Sequence, residues 1–262
     1  YQITIYEKST SVNLEEGYGI QLSVNSIKLL NEIKFNELQN DEKFTPHKIN
    51  FYSNSSSNKI CELNISDFNS DDCKYTTLKR SVLISFLMRD LKDKIKTGYS
   101  IAKINQLDQK IKLSFENNEI YECDCLIISD GVFSKSKCLI SNNQIMPKYN
   151  DTLAIRGTIV NTHSNIDKKN ISLFLGSDFH QVIYPVNSNG DLNFIAIMKY
   201  QLTAEEQKNY SLFKNKTFIE DVLRKIPLKS KEFLNNLKDV KIFPIFVSDD
   251  FYKLQSKNIH LI

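Results

Sequence analysis

Glu7 ends the segment YQITIYE, whose β-forming residues alternate polar and apolar in the manner of a strand. An acid at the end of a strand is where a βαβ dinucleotide fold holds a ribose hydroxyl, because a carboxylate accepts the hydrogen bonds that the sugar donates. Two further stretches suit the same chemistry. GYGIQLSVNSIKLL places Gly17 and Gly19, which let a backbone approach a ligand closely, ahead of helical spacing at Ile27, Leu29, Leu30 and Ile33. CDCLIISDGVFSKSK delivers Asp130 and Gly131 from an apolar run into a loop. Singly each signal is weak: a solvated carboxylate at Glu7 and plain turn residues at Gly17, Gly19 and Gly131 are the simpler readings. If Glu7 is the ribose acid, the glycine-rich fingerprint of such a fold lies ahead of Tyr1.

Other chemistries lack their residues. His47, His163, His180 and His260 are scattered, with no HExxH pair and no GxSxG elbow, so zinc and serine hydrolases are excluded. The 5 cysteines include no CxxC, so neither a metal site nor a disulfide framework is expected. Cys123 and Cys125 share one face of an expected strand, where burial beside Ile127 is the expectation. The 34 Lys and Arg are spread along the chain against 31 Asp and Glu, so nucleic acid is not an implied partner. No apolar stretch approaches the roughly 20 residues of a membrane helix. The first residues lack the order of a signal peptide, which makes a cytoplasmic protein the default expectation.

With 262 residues, 41% of them hydrophobic, the chain can bury a substantial core in one large domain or two smaller ones. After the first strand, residues 17–35 read as a loop feeding a helix. KINFYS and KICELNI read as a hairpin outside the main core. TTLKRSVLISFLMRDLKDKI reads as one helix with Thr76 or Thr77 as N-cap. SIAKINQ and KIKLSFEN follow as strands, and Leu126, Ile127 and Ile128 as a strand buried on both faces. From 151, LAIRGTIV, ISLFLG, HQVIYPV and DLNFIAIMKY predict an antiparallel sheet. Helices in AEEQKNYSLFKNKTFIEDVLRKI and SKEFLNNL come next, then strands in KIFPIFVSD and NIHLI.

The order and spacing of these motifs resemble the single-component FAD-dependent aromatic hydroxylases with the para-hydroxybenzoate hydroxylase fold, in particular the salicylate-hydroxylase-like and ubiquinone-biosynthesis branches. The resemblance covers nearly the whole chain. It implies that Glu7 binds the adenosine ribose of FAD, and that Gly17, Gly19, Ile20, Leu22 and Asn25 match the G-x-G-I-x-L-x-x-N segment. It implies that Arg80, in LKRSVLISFL, contacts the cofactor, and that Asp130 and Gly131, with Ser134 following, touch the FAD pyrophosphate region and serve NAD(P)H. AIRGTI around Arg156 and Gly157, FLG at 174–176 and VIYPV around Tyr184 and Pro185 look like the substrate-domain strands that face the flavin. Arg156, His180 and Tyr184 are therefore candidates for the pocket rim, against ordinary readings of Arg156 as an ion-paired surface residue and His180 as a strand-edge histidine.

The chain departs from the family at Leu14, where one branch has Arg, at Ile128-Ser129 in place of Gly-Ala, and at Lys137 in place of Arg. The resemblance implies an α/β fold: an incomplete Rossmann-like FAD-binding domain (1–49, 76–150 and 248–262) with an inserted β-rich substrate domain (50–75 and 151–247). It implies a fragment lacking both termini, with the glycine fingerprint ahead of Tyr1 and a Gly-Asp pair after Ile262. For the parent it implies a monooxygenase in which NAD(P)H reduces FAD and a flavin C4a-hydroperoxide hydroxylates a small aromatic substrate with dioxygen. A reductase or halogenase of the same fold, and a nonenzymatic α/β binding module, remain alternatives.

Overall fold

The computed structural model describes residues 1–12, 14, 18–141, 146–159, 167–227, 231–234, 236–248 and 257–262. The chain forms two compact units: Tyr1–Asn13 with Arg89–Asn150 and Phe246–Ile262, and Leu14–Met88 with Asp151–Ile245.

In the first unit two short parallel pairs stand beside a meander. β1 (Ile5–Glu7) pairs with β7 (Ile95–Thr97), and β11 (Leu126–Ile128) pairs with β17 (Ile259–Leu261). β8 (Ile101–Gln106), β9 (Ile111–Phe115) and β10 (Ile120–Cys123) form the antiparallel meander, and α3 is Lys135–Ser141. Alternation along β9 turns Ile111, Leu113 and Phe115 to one side, where they are buried with Ile128 and Ile259 and packed on by Tyr6 and Leu126. One apolar cluster therefore serves both parallel pairs. Tyr6 is fixed in it by the rings of Tyr99, Phe115 and Tyr121, with centroids 5.2, 4.6 and 5.4 Å away. The strand period then sends the neighbouring Glu7 to the opposite side.

The second unit is built on a seven-stranded sheet of order β16-β12-β15-β14-β13-β4-β5. Its strands are β4 (Lys48–Ser53), β5 (Lys59–Asn64), β12 (Lys148–Ile159), β13 (Ile171–Leu175), β14 (Phe179–Pro185), β15 (Leu192–Lys199) and β16 (Leu237–Val247). The pairings among β12, β15, β14 and β13 are antiparallel, and β13 joins β4 in parallel. A smaller antiparallel sheet holds β2 (Gly19–Leu22), β6 (Thr76–Lys79) and β3 (Lys43–Phe44). With α1 (Val24–Asn31) and α2 (Arg80–Met88) it encloses Leu22, Ile27, Phe35, Leu78, Leu83 and Phe86. The remaining helices are α4 (Ala204–Lys208), α5 (Lys216–Arg224) and α6 (Lys231–Leu234). α4 starts at a Thr203–Glu206 capping box and α5 at Asn215, each cap satisfying an amide that the helix leaves unpaired.

The strand register sorts the large sheet into two faces. One carries Leu153, Ile155 and Ile159 of β12, Leu192, Phe194 and Ala196 of β15, and Gln181 and Ile183 of β14, all fully buried. Phe233 of α6 packs on Phe174 of this face, and Val222 and Ile226 from the α5 region are buried too. The other face carries Arg156, Ile195, Val182, Leu173 and Phe51 in one cross-strand row, all half-buried.

Several local expectations are revised. GIQL is a strand, β2, and not a loop, because it pairs with β6 over its whole length. Thr76 and Thr77 are buried in β6 and do not cap a helix; their β-branched side chains suit the pleat, and α2 begins only at Arg80. β11 is not buried on both faces, since Ile127 is 61% exposed while Ile128 is buried. Cys123 is half-buried and Cys125 exposed, so the two sulfurs do not share a buried face; all five cysteines are free. The hairpin at 48–64 forms as expected, but it belongs to the large sheet through β4. By packing alone, the described residues of 14–49 and 76–88 group with the sheet-bearing unit; which part holds the cofactor is a separate, functional division.

Candidate functional site

The first unit holds Glu7, Asp130 and Gly131. Glu7 closes β1 at its carboxyl end, opposite Thr97 of β7, and one of its carboxylate oxygens accepts the Ser9 amide at 2.8 Å. The Asp-Gly pair follows β11. Asp130 Oδ2 accepts the Ser136 amide at 3.0 Å, and Ser134 Oγ accepts the Lys137 amide at 3.0 Å, so both side chains cap the first turn of α3. Burial pushes the Asp130 carboxyl up, but hydrogen bonds from Ser134 and Ser136 outweigh it and hold the group below its ordinary range. Gly131 has φ +78°, a left-handed conformation that glycine adopts without strain, and its vacant side-chain direction meets nothing within 4 Å. Both acids thus stand at the carboxyl ends of parallel strands, where open α/β sheets receive ligands. The turn beside Asp130 leaves the backbone accessible.

The second unit holds the other described candidates; Gly17 lies outside the described residues. Arg80 opens α2, its amide donating to the Tyr18 carbonyl at 2.7 Å. Its guanidinium is exposed and has no hydrogen-bond or ion-pair partner among the described residues. The amide of Gly19 donates to Asn193 Oδ1 at 2.6 Å. A Cβ at Gly19 would stand 2.7 Å from the Asn193 Cβ and 2.8 Å from Tyr184 Cε2, so close packing within the protein already requires glycine there. Gly19 is therefore not a plain turn residue.

Arg156, His180 and Tyr184 all point to the open face. Register places Ala154, Ile197, His180 and Leu175 in one row, Arg156, Ile195, Val182 and Leu173 in the next, and Thr158, Asn193 and Tyr184 in a third. His180 is exposed at one end, whereas Tyr184 is 3% exposed. The guanidinium of Arg156 lies 5.8 Å from the ring centres of both Tyr18 and Phe243, with no acidic partner among the described residues. It is a half-buried cation held by aromatic faces. Burial pushes the Tyr184 hydroxyl well above its ordinary value, a shift that the Arg156 charge and a hydrogen bond to Gln21 only partly oppose. Tyr184 is consequently a neutral phenol at physiological pH. Gln21 Oε1 also accepts the Tyr75 hydroxyl at 2.8 Å.

Sequence reasoning missed Tyr18, Gln21, Asn193 and Phe243. Asn193 carried the one usable signal, a polar residue inside the apolar alternation of DLNFIAI. A cleft of about 680 Å³ in this unit is lined by Leu175 to Phe179, Lys199 and Lys225 among others; none of the candidate residues lines it. No described helix is long and apolar enough to cross a membrane.

No family model matches the chain. It is 25% identical over 138 residues to the salicylate hydroxylase of Pseudomonas putida, a match spanning 47% of this chain and 32% of that protein. The structure of Klebsiella pneumoniae HpxO complexed with FAD and uric acid superposes with a TM-score of 0.77 at 12% identity, covering 98% of this chain and 65% of that one. The 2,6-dihydroxypyridine-3-hydroxylase of Arthrobacter nicotinovorans gives 0.76 at 13% identity, covering 99% and 70%. The chain therefore has the α/β fold of these two structures, and it spans about two thirds of their length.

Proposed function

We propose that the chain is the greater part of an FAD-dependent monooxygenase that hydroxylates a small aromatic molecule with dioxygen and NAD(P)H. The observation that carries the reading is the Asp130-Gly131 turn. It stands at the carboxyl end of a parallel strand with open space beside its left-handed glycine, in a chain whose fold is that of an FAD complex. The residues suit the cofactor. Glu7 offers the carboxylate oxygen that Ser9 does not occupy to a ribose, and Asp130 and Gly131 offer an acceptor and an approachable backbone. Arg80 offers a guanidinium, exposed and without a partner among the described residues, for phosphate, and Gly17 is assigned to the same group by resemblance, Gly19 being engaged by Asn193 and Tyr184. Bound FAD supplies the oxygen-activating chemistry. The chain's own task is to bind, orient and exclude water.

The division into a cofactor-binding part (1–49, 76–150 and 248–262) and a substrate-binding part (50–75 and 151–247) is a functional one in this reading. Arg156, His180 and Tyr184 rim the substrate, on a face whose half-buried Ile195, Val182 and Leu173 suit an aromatic ring. In the whole protein a further parallel strand lies between β1 and β11, completing a Rossmann-like sheet. Support comes from the pairing of β1 with β7 alone and of β11 with β17 alone among the described residues, and from exposed Ile5 and Ile127.

The test is the visible spectrum of the full-length protein purified without added flavin, followed by FAD titration of Asp130→Ala and Glu7→Lys. Each substitution is expected to cost on the order of 1.5–3 kcal/mol of FAD binding through lost charged hydrogen bonds. Unchanged affinity in Glu7→Lys removes Glu7 from the site. A lower melting temperature in Asp130→Ala with normal flavin handling makes Asp130 a helix cap only.

A further inference from the structure

The open face is not bare along its whole length. At the row Thr158, Asn193, Tyr184 it is met by the start of β2, where Gly19 packs against both Asn193 and Tyr184. The side-chain direction of Gly19 is filled by the ring edge of Tyr184 and the side chain of Asn193, 2.8 and 2.7 Å from where a Cβ would stand. Gln21, two residues on and on the same side of the strand, accepts the Tyr75 hydroxyl at 2.8 Å and lies near enough to the Tyr184 hydroxyl to oppose its upward pKa shift. Asn193 is Tyr184's direct cross-strand neighbour; it is 2% exposed, and its Oδ1 takes the Gly19 amide at 2.6 Å. Gly19 pairs with Lys79 on the other edge of β2, and the amide that this pairing leaves unused is the one Asn193 accepts. Tyr18, just ahead of β2, is tied to the same sheet by its side chain, its hydroxyl donating to the Asp239 carbonyl at 3.3 Å, so the Asn193 contact is the one that fixes the backbone at Gly19 itself.

We propose that Asn193 is a positioning residue for the substrate face: by locking the Gly19 amide it fixes where β2 meets the sheet, and so how far the Tyr184 ring projects toward the rows of Arg156 and His180. The proposal rests on the reading of that face as the substrate side. It assigns the absent side chain of Gly19 to this contact. It predicts that disturbing the contact alters recognition of the aromatic substrate and leaves FAD retention alone. A substituent at Gly19 has no flexible atom to displace, because its nearest neighbours are the Cβ of Asn193 and a ring carbon of a buried tyrosine.

The experiment uses the full-length protein in wild-type, Asn193→Leu, Asn193→Asp and Gly19→Ala forms, with melting temperature and flavin content recorded for each. Hydrogen exchange of the Gly19 amide is read first. Asn193→Leu, isosteric but without an acceptor, is expected to accelerate it about five- to tenfold, whereas Asn193→Asp keeps it protected. Steady-state kinetics on whichever phenol or aromatic acid the wild type oxidises is read second. Asn193→Leu and Gly19→Ala are expected to raise KM about tenfold, with kcat falling less and FAD content unchanged. Equal Gly19 exchange in wild type and Asn193→Leu overturns the lock, as does an unchanged KM in both variants or a loss that follows FAD content. A wild type without flavin or turnover defeats the functional reading instead, and the exchange measurement still decides whether Asn193 holds Gly19. Should Asn193→Leu not fold, Gly19→Ala carries the kinetic arm and Asn193→Ala, which also lacks the acceptor, the exchange arm.

Discussion

The two faces of the seven-stranded sheet are made by the same strands and differ in how they are covered. Phe194 and Ile195 are consecutive on β15, yet Phe194 is fully buried and Ile195 half-buried. The closed face is held by apolar side chains and by helix residues such as Phe233 on Phe174. The open face is covered only in part, and its cover is tied down by polar contacts: Gly19 to Asn193, Thr77 Oγ1 to the Pro185 carbonyl, and Lys79 to Asp191. Burial is non-directional, so the closed face secures stability without fixing any one geometry. Hydrogen bonds are directional and individually modest, which suits a surface that must present Arg156 and Tyr184 at set positions.

The sharpest test of that contrast is a pair of neighbouring truncations. Phe194→Ala on the closed face is expected to cost about 3–5 kcal/mol, because the removed ring leaves a cavity among fully buried neighbours. Ile195→Ala on the open face should cost about 1–2 kcal/mol, since water reaches the site and little cavity remains. Denaturant unfolding of both variants measures the difference. Equal losses mean that the faces are not distinct.

A smaller effect of opposite sign is expected at Gln181. It sits on the closed face with no exposure, and neither its amide nitrogen nor its amide oxygen has a hydrogen-bond partner among the described residues. An unpaired buried amide is costly to the folded state, so Gln181→Leu should stabilise the protein by about 1–2 kcal/mol. A lower unfolding midpoint in this variant reveals a partner for Gln181, and the closed face is then partly polar in its logic.

What the sequence conveyed of this arrangement follows from how local each signal is. The strands around LAIRGTI, HQVIYP and DLNFIAI alternate over enough residues to announce themselves, and the register that puts Arg156, His180 and Tyr184 on one face follows from period two. GIQL was hidden because a four-residue strand beginning in glycine carries almost no periodic signal. Thr76 to Lys79 was absorbed into the following helix because Leu78 falls in step with Val82 and Phe86, and only the pairing with Gly19 to Leu22 makes it a strand. The residue types of the candidate site were readable, but the contact that explains Gly19 joins positions 174 residues apart and leaves no local trace. Asp130 was readable as an acid at a strand end; its second role, capping α3 through Ser136, depends on a turn that the sequence only hints at through Gly131.

The smallest expected effect is the pH dependence of the open face's cover. Lys79 Nζ stands 2.7 Å from Asp191 Oδ2, which also accepts from Asn187 Nδ2 at 2.9 Å, joining β6 to the turn between β14 and β15. The Lys79 ammonium holds the Asp191 carboxyl below the ordinary 3.8 of an aspartate, and the bond from Asn187 adds to this against a weaker opposing effect of burial. A carboxylate depressed in the folded state binds fewer protons there than in the unfolded chain. Its contribution is therefore complete above the unfolded value of 3.8 and disappears as pH falls through the lower folded value. Both partners are about one-third exposed, so solvent screening limits the contribution to below about 1 kcal/mol. In stability measured against pH, wild type should exceed Asp191→Asn by that amount near neutrality, and the two curves should converge as pH falls below 3.8. The difference between Phe194→Ala and wild type should hold constant over the same range, because no titrating group takes part in it. Parallel curves for wild type and Asp191→Asn down to the lowest pH would mean that the ion pair contributes nothing measurable and that the open face's cover is held by Asn193 and Thr77 without it.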